Sequence, residues 1–242
     1  MAVDPVVTSP AEVCVEPLAG PQIDVVITNH NYNHYVPGAV ASALSQRGVL
    51  TRVFVVDDGS DEPLGAFEGE PRVRVLRRDI AGGVGMALNA GVAAGSAALV
   101  ALLDADDLWP RNHCQILAKA LGDADMAYGA QVIFADGDQP DLDPASEQVA
   151  ALGEVPAVPL PGTTLLRRSL LERVGPFSEA ARHGAFIAWM VQARAARPPV
   201  REIAVNLPVL LRRAHLTNMT RTNRQVGDYF AAVAQRRRLS SG

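Results

Sequence analysis

The chain has 242 residues, 48% apolar and 20% charged, enough for one sizeable core without disulfide or metal staples. Its 22 basic residues stand against 26 acidic ones, a net charge of −4, which argues against a dedicated nucleic-acid binder. Cys14 and Cys114 give neither a disulfide framework nor metal-cluster spacing and read as free thiols in a reducing, cytoplasmic compartment; no apolar run approaches the roughly 18 residues that span a bilayer, and no basic-then-apolar leader opens the chain.

Residues 1–21 carry four prolines and no sustained period, and read as a flexible tail. Residues 23–28 (IDVVIT) are a β-branched run fit for a buried strand, ending in the polar loop 29–35 (NHNYNHY). A helix is expected over 37–47, with Pro37 at its start and Val36, Val40 and Leu44 at helical spacing. Strands follow at 52–56 (RVFVV) and 72–76 (RVRVL). A helix opened by Gly82, Gly83, Val84 and Gly85 runs to 94, a strand covers 98–103 (ALVALL), and Pro110 starts a helix with Cys114, Leu117 and Leu121 on one face. The second half is less regular. It holds a strand at 125–134, an acidic, proline-dotted loop over 135–160, a short strand at 162–166, helices at 168–174 and 185–196, and a strand at 202–211. A last helix over 224–238 carries Tyr229, Phe230 and Val233 and ends in Arg236, Arg237 and Arg238.

Strand–helix alternation without an internal repeat implies a single α/β unit with a mainly parallel sheet. Ligands of such sheets bind outside the carboxyl ends of the strands. Three polar clusters fall at such ends: 29–35, 57–60 and 104–107. In LLDADDLWP (102–110), Asp104 and Asp106 lie close together past an apolar strand, where their repulsion calls for a hard cation, Mn²⁺ or Mg²⁺. The competing reading is an acidic turn capping the helix after Pro110. In VVDDGS (55–60) a carboxylate can accept hydrogen bonds from a nucleobase or ribose, although Asp-Gly is also a plain turn signal. In AGGVGMALNAGV (81–92) glycines permit close backbone approach at a helix start that favours phosphate, but the segment is not a complete dinucleotide fingerprint.

In this order, the strand plus NHNYN, then VVDDGS, GGVG…ALNAG and LLDADDLWP resemble the GT-A family 2 glycosyltransferases over residues 22–122. Residues 162–177 and 212–218 (RRAHLTN) are weaker echoes of the family's acceptor half. The resemblance implies a GT-A, Rossmann-like three-layer α/β/α sandwich: a donor-binding half over 22–122 and an acceptor half with the C-terminal helix over 123–242. It implies inverting, single-displacement transfer from a nucleotide-diphospho-sugar, a UDP-sugar by family frequency, to an acceptor the sequence does not name: a glycan, lipid carrier, natural product or peptide. Thr28, Asn29 and His30 border the base, Asp58 binds base or ribose, and Gly82, Gly83 and Asn89 line the donor. Asp104 binds ribose or metal-bound water, Asp106 ligates the metal, His215 is a third metal or diphosphate ligand, and Arg213 approaches the diphosphate. Trp109 reads as core or pocket wall. Arg236–Arg238 form a solvated helix end and leave room for peripheral membrane contact. The oligomeric state stays open.

Four positions depart from the family pattern. His30 replaces its tyrosine and Leu88 its arginine. Gly184 and Ala185 stand where the family's Glu-Asp base falls relative to Trp189, and no carboxylate lies between Glu179 and Glu202. Glu179 or His183 is therefore the candidate base for the acceptor hydroxyl. Two alternatives stay open: a nucleotide-sugar-binding scaffold that has lost its base, and another Mg²⁺-dependent nucleotidyl or phosphoryl transferase.

Overall fold

The structure is a computed structural model that describes residues 20–138, 140–143, 156–181 and 184–215. The tail over 1–19, residues 139 and 144–155 of the 135–160 loop, His183 and the helix expected over 224–238 lie outside the described residues.

The elements run β1 (Gln22–Asn29), α1 (Val36–Leu44), β2 (Leu50–Asp58), β3 (Val73–Arg78), α2 (Val84–Ala94), β4 (Leu99–Asp104), α3 (His113–Leu121) and β5 (Met126–Ala135). After a 3₁₀ turn at Pro161–Thr163 come β6 (Thr164–Arg167), α4 (Arg168–Val174), α5 (Ala185–Ala195) and β7 (Glu202–Ala214). Seven strands form one sheet in the order β3-β2-β1-β4-β6-β5-β7. Strands β3, β2, β1 and β4 pair in parallel, as do β5 and β7, while β6 is antiparallel to both its neighbours. Because β6 reverses direction twice over, β5 and β7 point the same way as β1. The carboxyl ends of six strands thus share one edge.

Burial follows from the strand period. Ile23, Val25 and Ile27 face one side, where they pack with Val36, Val40, Trp109 and Leu117 from α1, α3 and the loop before α3. Val26 faces the other, with Val100, Leu102, Leu88, Leu170, Phe186 and Trp189 beneath α2, α4 and α5. A strand buried on both faces must be a continuous apolar run, which is why β1 and β4 do not alternate apolar with polar. Each such side chain contributes about 1.5–3 kcal/mol on leaving water. The two apolar layers give the three-layer α/β/α arrangement. Helix α2 lies close on β1 because Gly91 has no Cβ to overlap the Val26 side chain.

Candidate active site

The carboxyl edge brings the clusters 29–35, 57–60 and 104–107 together, joined by the ends of β3 and β7. At the end of β1, buried Asn29 knits the following loop to β2. Its Oδ1 accepts the Tyr32 N–H (3.2 Å), and its Nδ2 donates to Asn33 Oδ1 (2.8 Å) and Ser60 Oγ (3.3 Å). His30 is exposed, with Nδ1 2.9 Å from the Asp58 carbonyl oxygen, a contact that requires the proton on Nδ1. Thr28 hydrogen-bonds the Asp104 carboxylate.

The two acids ending β2 have separate tasks. Burial alone would raise the Asp57 carboxyl, but bonds from the Ser60 hydroxyl, the Leu64 N–H and Arg77 (2.6 Å) outweigh it and hold it below the ordinary range. Asp58 accepts the Gly82 N–H (3.1 Å) and the Gly83 N–H (2.7 Å), and the Arg78 Nε lies 2.7 Å from its Oδ1. The amides expected to line the donor are thus spent on a carboxylate of the chain itself. The positive end of α2 attracts the nearest anion, and in-register pairing of β2 with β3 delivers Asp58 there.

Past β4, the Asp107 N–H closes a turn on the Asp104 carbonyl (3.1 Å). Asp104 is pushed up to about 6 by withdrawal from water and by the Asp106 charge, against the pull of Arg212 and the Thr28 hydroxyl. Asp107 is raised well above the usual range by burial, Asp106 and Asp104, although it accepts the Arg213 N–H at 2.9 Å. His215 Nε2 lies 2.8 Å from Asp106 Oδ2. Arg213, expected at the diphosphate, is instead used inside the chain. Its Nε donates to the Asp106 carbonyl (3.0 Å), and its guanidinium stacks on Tyr35 (4.7 Å) and Phe134 (4.5 Å). Two cation–π contacts make that position favourable without a ligand.

Asn89 also serves the scaffold rather than an open donor cleft. Its amide clasps the Phe177 backbone, donating to the carbonyl (3.0 Å) and accepting the N–H (2.9 Å). That clasp places the exposed Glu179 beside α2, its Oε1 3.4 Å from Asn89 Nδ2. Ala185, at the start of α5, lies against Gly85 of α2. Trp109 is fully buried, donates to the Gly162 carbonyl (2.8 Å) and stacks on His113. Leu88 is buried on the sheet-facing side of α2.

Sequence reasoning assigned no role to Asp57, Arg77, Arg78, Asp107 or Arg212. The one available signal was position, since Arg77 and Arg78 end a strand that neighbours the Asp-Asp-Gly turn. Among the described residues no three His, Cys, Asp or Glu side chains enclose a metal by themselves. The donor set still suits a hard divalent ion. Asp104 and Asp106 supply carboxylate oxygens whose mutual repulsion a cation would relieve, and Mg²⁺-type ions draw further ligands from phosphates. His215 would join only by giving up its contact with Asp106.

No described helix is long and apolar enough to cross a membrane. The family model of glycosyl transferase family 2 matches residues 24–175. The succinoglycan biosynthesis protein ExoO of Rhizobium meliloti is 34% identical over 147 residues, 58% of this chain and 41% of that protein. An uncharacterized glycosyltransferase of Nostoc, alr2836, is 32% identical over 174 residues, 64% of this chain and 53% of its own length. The chain therefore spans about half the length of the curated relatives it matches. In fold it resembles S. aureus TarS in complex with UDP-GlcNAc (TM-score 0.64, 15% identity, 84% of this chain and 61% of that one). It also resembles the mannosyltransferase PcManGT of Pyrobaculum calidifontis in complex with GDP-Man and Mn²⁺ (TM-score 0.63, 18% identity, 87% and 62%). With a family model covering more than half of its length and a named glycosyltransferase among its relatives, the chain belongs to glycosyl transferase family 2.

Proposed function

We propose that this protein transfers a sugar, with inversion, from a nucleoside-diphosphate sugar to an acceptor hydroxyl, with Mn²⁺ or Mg²⁺ held by Asp106 and Asp104. The observation that carries this reading is the carboxylate turn at Asp104–Asp107, between the parallel donor half and the strands β5 and β7. There Asp104 is raised to about 6 by desolvation and Asp106, as expected of a site built for a cation. A bound ion would neutralise charge developing on the leaving diphosphate. Asp107 and His215 orient the turn from the β7 side. Loop 29–35 and the Asp58–Gly59 turn close the base end. A UDP-sugar is the first donor to test, since TarS was solved with UDP-GlcNAc; PcManGT, solved with GDP-Man, makes GDP-sugars the second.

In this reading Glu179 or His183 takes the proton of the acceptor hydroxyl. Glu179 is exposed on the loop that Asn89 holds against α2. A second reading rests on the start of α5, where Gly184 and Ala185 bring no carboxylate to the α2 terminus. It predicts donor binding without transfer.

The test is a titration of UDP- and GDP-sugars with Mn²⁺, Mg²⁺ or EDTA, followed by assay of nucleoside diphosphate release with a panel of acceptors. Metal-dependent binding lost at least 100-fold in Asp106→Ala is expected. Metal-independent binding, or binding indifferent to Asp106→Ala, would overturn the metal assignment. Turnover unchanged in both Glu179→Gln and His183→Ala removes the base assignment, and binding without release across the panel favours the second reading.

A further inference from the structure

We infer that His113, the first residue of α3, is a positioning residue for the metal turn: it captures a bulge in β7 and so fixes which β7 residues face Asp104–Asp107. This rests on the metal reading above.

Strand β7 is not held in even register by β5. Tyr128 pairs with Ala204 and Ala130 with Pro208, and then Gln131 pairs with Leu210. Between the last two pairs β7 carries one residue more than β5, and that residue is Val209. A bulged residue falls outside the ladder and shifts the register beyond it. The side-chain period of a strand is two, so a shift of one exchanges its faces. The bulge thus decides whether Arg213 and His215, or Arg212 and Ala214, meet the turn.

Val209 is completely buried and seats on Gly129, where a Cβ would stand 2.5 Å from its Cγ2. Its carbonyl oxygen, left off the β5 ladder, lies 2.7 Å from His113 Nδ1, a contact that requires the proton on Nδ1. Burial keeps the ring neutral, so this N–H is the one the ring has to give. The ring is fixed in its turn. It stacks on Trp109 with centroids 3.9 Å apart and planes 11° from parallel, and Trp109 is tied to the Gly162 carbonyl at 2.8 Å.

From this anchor the segment 106–113 runs along β7 in the opposite direction and meets every second residue. Leu211 exchanges both backbone bonds with Leu108, at 2.9 and 3.0 Å. The Arg213 N–H reaches Asp107 Oδ1 at 2.9 Å, and its Nε reaches the Asp106 carbonyl at 3.0 Å. His215 Nε2 lies 2.8 Å from Asp106 Oδ2. A slip of one residue would present Leu210, Arg212 and Ala214 to the same segment, with an alanine where His215 steadies Asp106. His113 touches none of the carboxylates and acts on them through β7.

The test uses the full chain with Mn²⁺ alone as the probe, in wild type, His113→Asn and His113→Phe. Asparagine keeps a donor near the Nδ1 position and loses the ring; phenylalanine keeps the stack and loses the donor. Calorimetry reads Mn²⁺ affinity, NMR reads amide exchange at Leu211 and Arg213 against Val26 of β1, and thermal unfolding confirms that each variant is folded. His113→Phe is expected to bind Mn²⁺ about tenfold more weakly, with faster exchange at Leu211 and Arg213 but not at Val26. His113→Asn is expected to stay within about threefold of wild type in affinity, although the void left by the ring lowers its unfolding temperature. A residue that served packing alone would make affinity and exchange follow the unfolding temperature instead. Unaltered Mn²⁺ affinity or unaltered exchange in folded His113→Phe overturns the inference, as does an equal loss of affinity in both variants. If His113→Phe does not fold, Gly129→Ala, which crowds Val209 from its seat and leaves His113 in place, must show the same two losses, and unaltered values there overturn the inference. If wild type binds no Mn²⁺, the metal reading falls, and amide exchange alone decides whether His113 holds the register of β7.

Discussion

Asp104 and His113 lie nine residues apart, and withdrawal from water moves them in opposite senses. Asp104 is raised to about 6, so it holds its proton into mildly acidic solution. In the proposed metal site an ion must displace that proton, so divalent-ion affinity is expected to be full well above pH 6 and to fall about tenfold per unit well below it, which titration calorimetry from pH 7.5 to 5 will resolve. His113 is fully buried, with Nδ1 2.7 Å from the Val209 carbonyl oxygen, Nε2 without a partner among the described residues and a basicity lowered to about 3. An unfolded histidine protonates near 6.5. Between those values the unfolded chain binds a proton that the folded chain refuses, so stability present above about 6.5 is lost as pH falls. The limiting slope is about 1.4 kcal/mol per pH unit, or about 2 kcal/mol between pH 6.5 and 5. Urea unfolding of His113→Phe, which keeps the stack on Trp109, should show that much less acid sensitivity.

At the scale of elements, α2 does two jobs. Its amino end holds Asp58 through Gly82 and Gly83, and its second turn holds the Phe177 loop through Asn89. Both need the helix seated closely on the sheet, and Gly91 permits that approach. A Cβ at Gly91 would overlap Val26 Cγ1 and lie 3.0 Å from Cγ2. Gly91→Ala gains about 1 kcal/mol of helix propensity. It loses about 1–3 kcal/mol to overpacking, with the larger value favoured because β1 is buried on both faces. Net destabilisation of about 1–2 kcal/mol is expected in chemical denaturation, with partial recovery in Gly91→Ala combined with Val26→Ala.

Across the whole molecule, a buried ion-pair network and the proposed binding chemistry sit at opposite edges of the sheet. At the amino edge Asp24 is completely buried, accepting from Arg52 (2.9 Å), Arg168 (2.9 Å) and the Ala97 N–H (2.6 Å). Arg168 also binds the carbonyls of Ala97 and Val92, so one carboxylate ties β1, β2, α2 and α4 into a single unit. Asp24→Asn removes the charge that two arginines share and should cost about 3 kcal/mol. Nucleotide affinity at the far edge should stay within twofold of wild type, and a larger loss would mean that the edges are coupled.

The order of elements was legible in the chain because it rests on local pattern. The runs IDVVI and ALVALL are short, apolar and fit for buried strands, Gly83 and Pro37 mark helix starts, and the acids after β2 and β4 sit where a parallel sheet presents ligands. The alternation also implied the mainly parallel sheet that the strand pairing confirms. Partner choice among polar groups was not legible, because it depends on distances between segments remote in sequence. Gly82 and Gly83 look like a phosphate turn until β2 delivers Asp58 to their N–H groups, 24 and 25 residues away in the chain. Arg213 looks like an anion ligand until Tyr35 and Phe134 close on its guanidinium. Asn89 looks like a donor contact until the Phe177 backbone fills both ends of its amide. In each case a group expected to face a ligand was satisfied inside the chain, since a buried hydrogen-bonding group left unpaired costs more than most single contacts return. Hydrophobic period is written locally; the pairing of charges is settled when the strands come together.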